Sequence, residues 1–458
     1  MNKPYKLALH VFRRDLRLQD NTALIEALQL SEQVIPCFIF DTRQVGNNIY
    51  KSEACLQFMA ASLKELDVAL QKKNGRLFFF DGLSEKVIAE LCTQLPIEAV
   101  FINRDYTPFS RERDQKIASA CHKKGIALHT HSDALLHEPE ACLKANNEPY
   151  TVFTPFFRRS SMLPVNAPTV NRYSNYYQAA IPNSSAQTLD KLLTYQNPEL
   201  IVKGGRQEGI QLLKKISNLA QYETLRNLPA QSGTTHLSAH HKFGTISIRE
   251  TFAMITAALG RHHLLINELY WRDFFTHIGF HFPRVFGQAF HQKYDAIQWD
   301  SRPAPLQAWQ TGMTGFPIVD AGMRELNTTG YMHNRVRMVV ASFLTKDLHI
   351  NWRLGEQYFA RQLVDYDPAV NNGNWQWSAS TGCDAQPYFR IFNPWLQQKR
   401  FDPDCVYIKR WVPELAAVNA SALHQLAEKP LPPQIKYPRP IVNHSVESQN
   451  SKQLYKGI

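Results

Sequence analysis

The sequence predicts two folds in one chain: an α/β domain with a parallel, Rossmann-like sheet at the amino-terminal end, then a large all-helical domain. Three observations predict them. Residues 6–131 alternate apolar, β-branched runs with helical patterns at the spacing of strand–helix–strand units. From about residue 203 the patterns turn almost wholly helical. All eight tryptophans lie in that second part, at Trp271, Trp299, Trp309, Trp352, Trp375, Trp377, Trp395 and Trp411.

Strands are expected at Lys6–Phe12, Val34–Phe40, Arg76–Phe80, Ala99–Ile102 and Ala127–His129. Helices are expected around Thr22–Leu28, Glu53–Leu70, Ser84–Leu95 and Arg111–Lys123. No GxGxxG follows the first strand, so the phosphate-gripping turn of a nicotinamide-type fold is absent. Residues 132–202 are rich in Pro, Asn, Ser and Tyr and read as a connector. The divisions are therefore 1–131, 132–202 and 203–458. In the last, helices are expected at Arg206–Asn218, Ile248–Leu259, His262–His281, Pro305–Trp309, Ile318–Thr328, His333–Leu348 and Glu356–Leu363.

Composition narrows the function. With 44% apolar and 20% charged residues in 458, the chain can bury sizeable cores and is not of the disordered class. Seven cysteines without a CxxC do not make a disulfide framework. No apolar run approaches the roughly 20 residues that span a bilayer. A cytoplasmic protein without membrane partners is expected. The net charge of +11 favours a polyanionic partner.

Four segments concentrate chemistry. The hydroxyl-rich Ser232-Gly-Thr-Thr-His-Leu-Ser238 precedes a short helical pattern, which suits an anion or a plain cap. In Asn267-Glu-Leu-Tyr-Trp-Arg-Asp273, Glu268 and Trp271 share a helical face, pairing an acid with an aromatic plate. In Gly330-Tyr-Met-His-Asn-Arg-Val-Arg-Met338, Asn334 and Met338 stand at i,i+4, an amide beside a soft thioether. The stretch from Asp365 holds Asp365, Asp367, Asn371, Asn372, Trp375 and Trp377; its two aspartates at i,i+2 suit a turn that accepts hydrogen bonds, and its Asn-Asn-Gly step tolerates unusual backbone angles. The histidines at 129, 131 and 137, and at 277 and 281, come without a carboxylate or cysteine set at ligand spacing, so no metal site is expected.

With FRRDLRLQDNTAL at 12–24, these segments resemble the DNA photolyase and cryptochrome family, especially the bacterial class I cyclobutane pyrimidine dimer photolyases. The resemblance implies an antenna-carrying α/β domain and a helical domain that binds FAD and DNA. It implies light-driven carbon–carbon lyase chemistry on cyclobutane dimers in DNA, by electron transfer from reduced anionic FAD. Tyr222, Thr234, Thr235, Leu237 and Ser238 match flavin phosphate and ribityl contacts. Arg272, Asp365 and Asp367 match further flavin neighbours, Arg337 with Asp365 matches an ion pair near the ring, and Asn371 matches the residue facing flavin N5. Glu268, Trp271, Asn334, Arg335, Met338 and Trp377 match the dimer pocket. Trp375, Trp352 and Trp299 match an electron-transfer chain. Trp271, Arg335, Lys399 and Arg400 are the expected DNA contacts.

The family's (6-4) enzymes carry histidine at the positions of Asn334 and Met338, which this chain does not. A second chromophore, a folate (methenyltetrahydrofolate) or a deazaflavin, is implied near Asn103, Asp105, Tyr106 and the 40–52 loop. The rivals are a signalling cryptochrome without repair and a DASH-type enzyme acting mainly on single-stranded DNA. A monomer in the bacterial cytosol, on the nucleoid during repair, is expected.

Overall fold

The computed structural model describes residues 3–185, 187–192 and 196–458. The chain divides into two compact units. Unit 1 comprises 1–197, 202–218 and 235–283; unit 2 comprises 198–201, 219–234 and 284–458.

Unit 1 is built on five parallel strands, β1 (Tyr5–Phe12), β2 (Ser31–Asp41), β3 (Phe78–Gly82), β4 (Ala99–Asn103) and β5 (Ala127–His131). Their order is β3-β2-β1-β4-β5, so the winding reverses between β1 and β4, as in doubly wound sheets. The register pairs Val11 with Cys37, Cys37 with Phe78 and Val100 with Leu128. These near-continuous apolar runs are buried because helices cover a parallel sheet. The first helix, α1 (Thr22–Leu30), starts where Asn21 accepts the Leu24 N–H. Four strands run longer than the sequence pattern, and β3 is shifted two residues later than expected; β5 extends to His131 through polar residues that apolar periodicity does not mark.

The pattern change at 202/203 and the division by compactness are different boundaries. Helices Ile248–Leu259 and α2 (Leu264–His281) belong to unit 1. Arg249 ties the first of them to Asp20 (2.9 Å) and Asp133 (2.9 Å). Arg206 adds a bidentate grip on Glu250. At Gly244, φ is +64° and an added Cβ would sit 2.1 Å from the Arg14 carbonyl oxygen, so this close approach requires glycine.

Unit 2 is helical. Its core gathers Trp309, Phe316, Met332, Val340, Phe343, Trp352, Phe359 and Trp375. The helix expected at His333–Leu348 is α3 (Asn334–Ser342) followed by one wider π-helical turn, Phe343–Asp347. Then come α4 (Trp352–Gln362) and α5 (Pro368–Ala379). The Asn-Asn-Gly step uses no unusual backbone angle: it lies inside α5, started by the Asp367 cap and by Pro368 in the first turn. Its amides bond outward: Asn371 Nδ2 donates to the Glu356 carbonyl (3.0 Å) and Asn372 Nδ2 to the Val285 carbonyl (3.0 Å). No helix among the described residues is long and apolar enough to cross a membrane.

Candidate functional site

The residues singled out from the sequence fall on both units, and each set has its own geometry. On unit 1, α2 presents Glu268, Trp271 and Arg272, all half-buried. One face of the Trp271 indole is already taken: Phe153 stacks on it at 3.6 Å with an interplanar angle of 7°. The edge meets Phe274 at 5.7 Å. Phe275 lies tilted against it at 5.5 Å and 31°, so Trp271 is a plate held rigid by three neighbouring rings. Phe153 gave no sequence signal beyond an aromatic in the connector. Arg272 donates to the Ala134 carbonyl (2.7 Å) and lies 3.3 Å from Asp273. Burial pushes the Asp273 carboxyl up to about 7, with Arg272 opposing it. Thr235 Oγ1 accepts the Leu237 N–H (3.3 Å), and Ser238 opens the helix Ser238–Phe243 exposed to solvent.

Also on unit 1, the residues expected near a second chromophore are bonded to the protein itself. Asn103 donates to Asp15 (2.6 Å) and Asn21 (2.8 Å) and accepts from the Ala23 N–H (3.1 Å). Asp105 faces Arg14 (3.2 Å) and Ser110 (2.8 Å), and the Tyr106 hydroxyl donates to Glu138 (2.7 Å). The Phe12–Leu24 segment therefore works largely as a buried polar joint.

On unit 2, Arg337 and Asp365 form a two-pronged ion pair (3.2 and 3.0 Å). Burial pulls the guanidinium down, Asp365 and Tyr331 raise it, and the net direction is upward. Asp365, Asp367 and Asn371 are 9%, 8% and 8% exposed. Thr234 bonds the Tyr331 side chain, and Tyr222 is buried beneath Arg226 (5.2 Å).

The i,i+4 pair on α3 forms as expected, with Asn334 Nδ2 3.8 Å from Met338 Sδ. Its neighbour His333 is 5% exposed and caps the helix, Nδ1 accepting the Arg335 N–H (3.2 Å). Arg335 itself donates to Asn227 (2.6 Å) and lies over Phe401 (4.5 Å). Arg400 covers the same ring (5.2 Å), and both Arg400 and Lys399 are exposed. Burial and the nearby charges of Arg226 and Arg400 lower the Arg335 pKa, which marks a concentrated cationic patch. Arg226 belongs to that patch and was not singled out by its sequence context.

Trp375 and Trp352 are buried, and Trp299 is half-buried. Trp375 packs edge-on against Phe359 (4.9 Å) and Trp309 (6.1 Å), while Trp352 lies under Arg353 (4.8 Å). The indole N–H groups of Trp375 and Trp299 are buried without a hydrogen-bond partner among the described residues. Trp377 is half-buried and tilted against Phe392 at 6.4 Å.

On unit 2 these groups fit a flavin. A cation, two carboxylates and an amide, all at least half-buried, complement a ring system that offers both acceptors and N–H donors.

Comparison with known proteins agrees. The family described as DNA photolyase matches residues 8–170, and the FAD binding domain of DNA photolyase matches 265–457. A deoxyribodipyrimidine photo-lyase of Synechococcus is 39% identical, over 97% of this chain and 95% of its own. That of Escherichia coli is 38% identical, over 94% and 95%. Among solved structures, the archaeal photolyase of Sulfolobus tokodaii, with two FAD molecules, has TM-score 0.89 and 42% identity, covering 99% of this chain and 100% of its own. A class III photolyase of Agrobacterium tumefaciens has TM-score 0.91 and 35% identity, covering 100% and 98%. A Synechocystis cryptochrome has TM-score 0.89 at 26% identity, covering 99% and 100%. By this relatedness along nearly its whole length, the chain belongs to the DNA photolyase family.

Proposed function

We propose that the protein repairs cyclobutane pyrimidine dimers in DNA under blue or near-ultraviolet light, as a monomer using reduced anionic FAD and a second, antenna chromophore (a folate or a deazaflavin). The observation that carries the lesion class is the state of α3. (6-4) chemistry asks for a histidine that moves a proton. Here Asn334 and Met338 are neutral neighbours, and the nearby His333 is turned inward as a helix cap.

Bound FAD supplies the light-absorbing electron donor. The chain's residues do the rest. Tyr222, Thr234, Thr235, Leu237 and Ser238 would hold the phosphate and ribityl part, with Arg272. Arg337 and Asp365 would orient the ring's polar edge, with Asp367 fixing the start of α5. Asn371 offers a neutral amide, which tolerates an anionic ring where a carboxylate would repel it. Glu268 would hydrogen-bond the dimer's polar edge and stabilise the charge that develops there. Trp271 and Trp377 would wall its apolar side, with Asn334 and Met338 beside it. Arg226, Arg335, Lys399 and Arg400 would hold phosphates and make binding salt-dependent. Extruding a damaged base costs a few kcal/mol, least where stacking is already poor.

The test is repair of a dimer-containing thymidine oligonucleotide by purified, anaerobically reduced protein, followed by recovery of thymine absorbance. Recovery under light and none in the dark is expected. No recovery with FAD bound and reduced would overturn the reading in favour of a non-repairing cryptochrome or another lesion.

Trp375, Trp352 and Trp299 would serve photoreduction of oxidised flavin rather than repair. Trp375→Phe is therefore expected to slow photoreduction severely while chemically reduced enzyme repairs at the wild-type rate. Loss of both in a folded, flavin-loaded variant would contradict this.

A further inference from the structure

We infer that unit 1 carries a site for a divalent transition-metal ion, formed by Glu26 of α1 and His129 and His131 of β5. The two histidines are two residues apart on one strand, so both rings stand on the same face of the sheet. α1 packs against β4 and β5 and brings Glu26 to them. One ligand atom from each of the three residues lies within 4.8 Å of the others. Glu26 Oε2 and His131 Nδ1 are 3.2 Å apart. A tetrahedral ion with bonds of about 2.0–2.1 Å has ligand–ligand edges of about 3.3 Å.

The rings are held in place before any ion arrives. Phe101 stacks on His129 at 4.4 Å and 7°, and the two imidazoles lie nearly parallel, at 11°. His129 Nε2 is 2.9 Å from the Tyr5 hydroxyl. With Nε2–H donating to that oxygen, Nδ1 keeps its lone pair for a metal, the outer-shell arrangement typical of ligating histidines. His131 Nε2 is buried without a hydrogen-bond partner among the described residues, and Glu26 is a polar group that holds this ring. The Glu26 side chain is 40% exposed, which leaves an entry path and room for water as a fourth ligand.

Two imidazoles and one carboxylate select zinc or a neighbouring first-row ion over calcium or magnesium, which prefer oxygen. Such an ion would clasp the edge strand β5 to α1. The sequence reading expected no metal because the carboxylate lies on a different element, far upstream of the histidines.

The test is zinc titration by calorimetry of the full-length, untagged, flavin-loaded protein after chelator treatment, with melting temperature read in parallel. One zinc ion per chain is expected, raising the melting temperature. Glu26→Gln and His131→Ala are each expected to weaken binding about tenfold or more. Glu26→Gln is nearly isosteric at a part-exposed position, so it folds even where a ring deletion does not; flavin content checks this. The flavin site is not among these ligands, so repair by the variants is unchanged. No stoichiometric zinc binding by the wild type, or binding and thermal shift unchanged in folded Glu26→Gln, would overturn the proposal.

Discussion

Asp133→Ala is expected to destabilise unit 1 by about 3–5 kcal/mol, the cost of removing one partner from a buried ion pair. Arg17 and Asp133 are each 1% exposed at the side chain, and Arg17 Nη2 donates to both carboxylate oxygens at 2.7 Å. Arg249 Nη2 reaches Oδ1 at 2.9 Å, and the Thr22 backbone N–H and hydroxyl reach it at 3.2 and 3.0 Å. Removing the carboxylate leaves one fully buried and one largely buried guanidinium short of a counter-charge. The same group sets an acid limit. Burial raises the Asp133 pKa, Arg17 and Arg249 lower it, and the net direction is down. Its folded-state value is therefore below the unfolded value of about 3.9. The stabilisation is complete above that unfolded value and is lost as pH falls through the folded one. Urea unfolding at neutral and acid pH checks both statements. A variant within about 1 kcal/mol of wild type at pH 7 would show that this network is not what joins helix Ile248–Leu259 to the sheet layer.

That network shows what was and was not legible in the sequence. The strand–helix alternation rests on local periodicity, so all five strands and their covering helices could be read directly. FRRDLRLQDNTAL was visible as a family segment, but its work was not. Asp133 lies far from Arg17 in sequence, and no spacing rule joins them. The Asn-Asn-Gly step was read for its tolerance of unusual backbone angles, whereas the partners of Asn371 and Asn372, the Glu356 and Val285 carbonyls, come from elsewhere in the chain. Asn334 with Met338 was legible because i,i+4 on one helix is local. Phe153 behind Trp271 and Arg226 beside Arg335 were not, since tertiary packing alone makes those neighbours. The π-helical turn that ends α3 left no mark on the hydrophobic period.

Asn371→Asp is expected to change stability and flavin potential together, with a shared dependence on pH. The wild-type Nδ2 donates to the Glu356 carbonyl at 3.0 Å in a position only 8% exposed. An ionised aspartate there would face an acceptor with an acceptor, so the folded protein favours its protonated form. Its folded-state pKa then rises above the unfolded value of about 3.9. The sign follows: no deficit is expected at pH below the unfolded value. The deficit grows as pH rises from there and levels off above the folded value, at about 1–3 kcal/mol, the cost of a buried polar group left unpaired. Glu356, pushed up to about 7 by burial, titrates in the same region, so each variant point is referred to wild type at the same pH. If Asn371 faces the flavin as proposed, the flavin readout follows the same curve: while the new carboxyl is protonated it adds no charge there, and the potential stays near wild type. Once ionised it opposes the anionic reduced form, and the potential moves negative. Melting curves and redox titrations across pH 5–9 test the coupling. A potential unchanged at every pH would remove Asn371 from the flavin's surroundings, and a stability deficit that ignores pH would remove the Glu356 carbonyl as its cause.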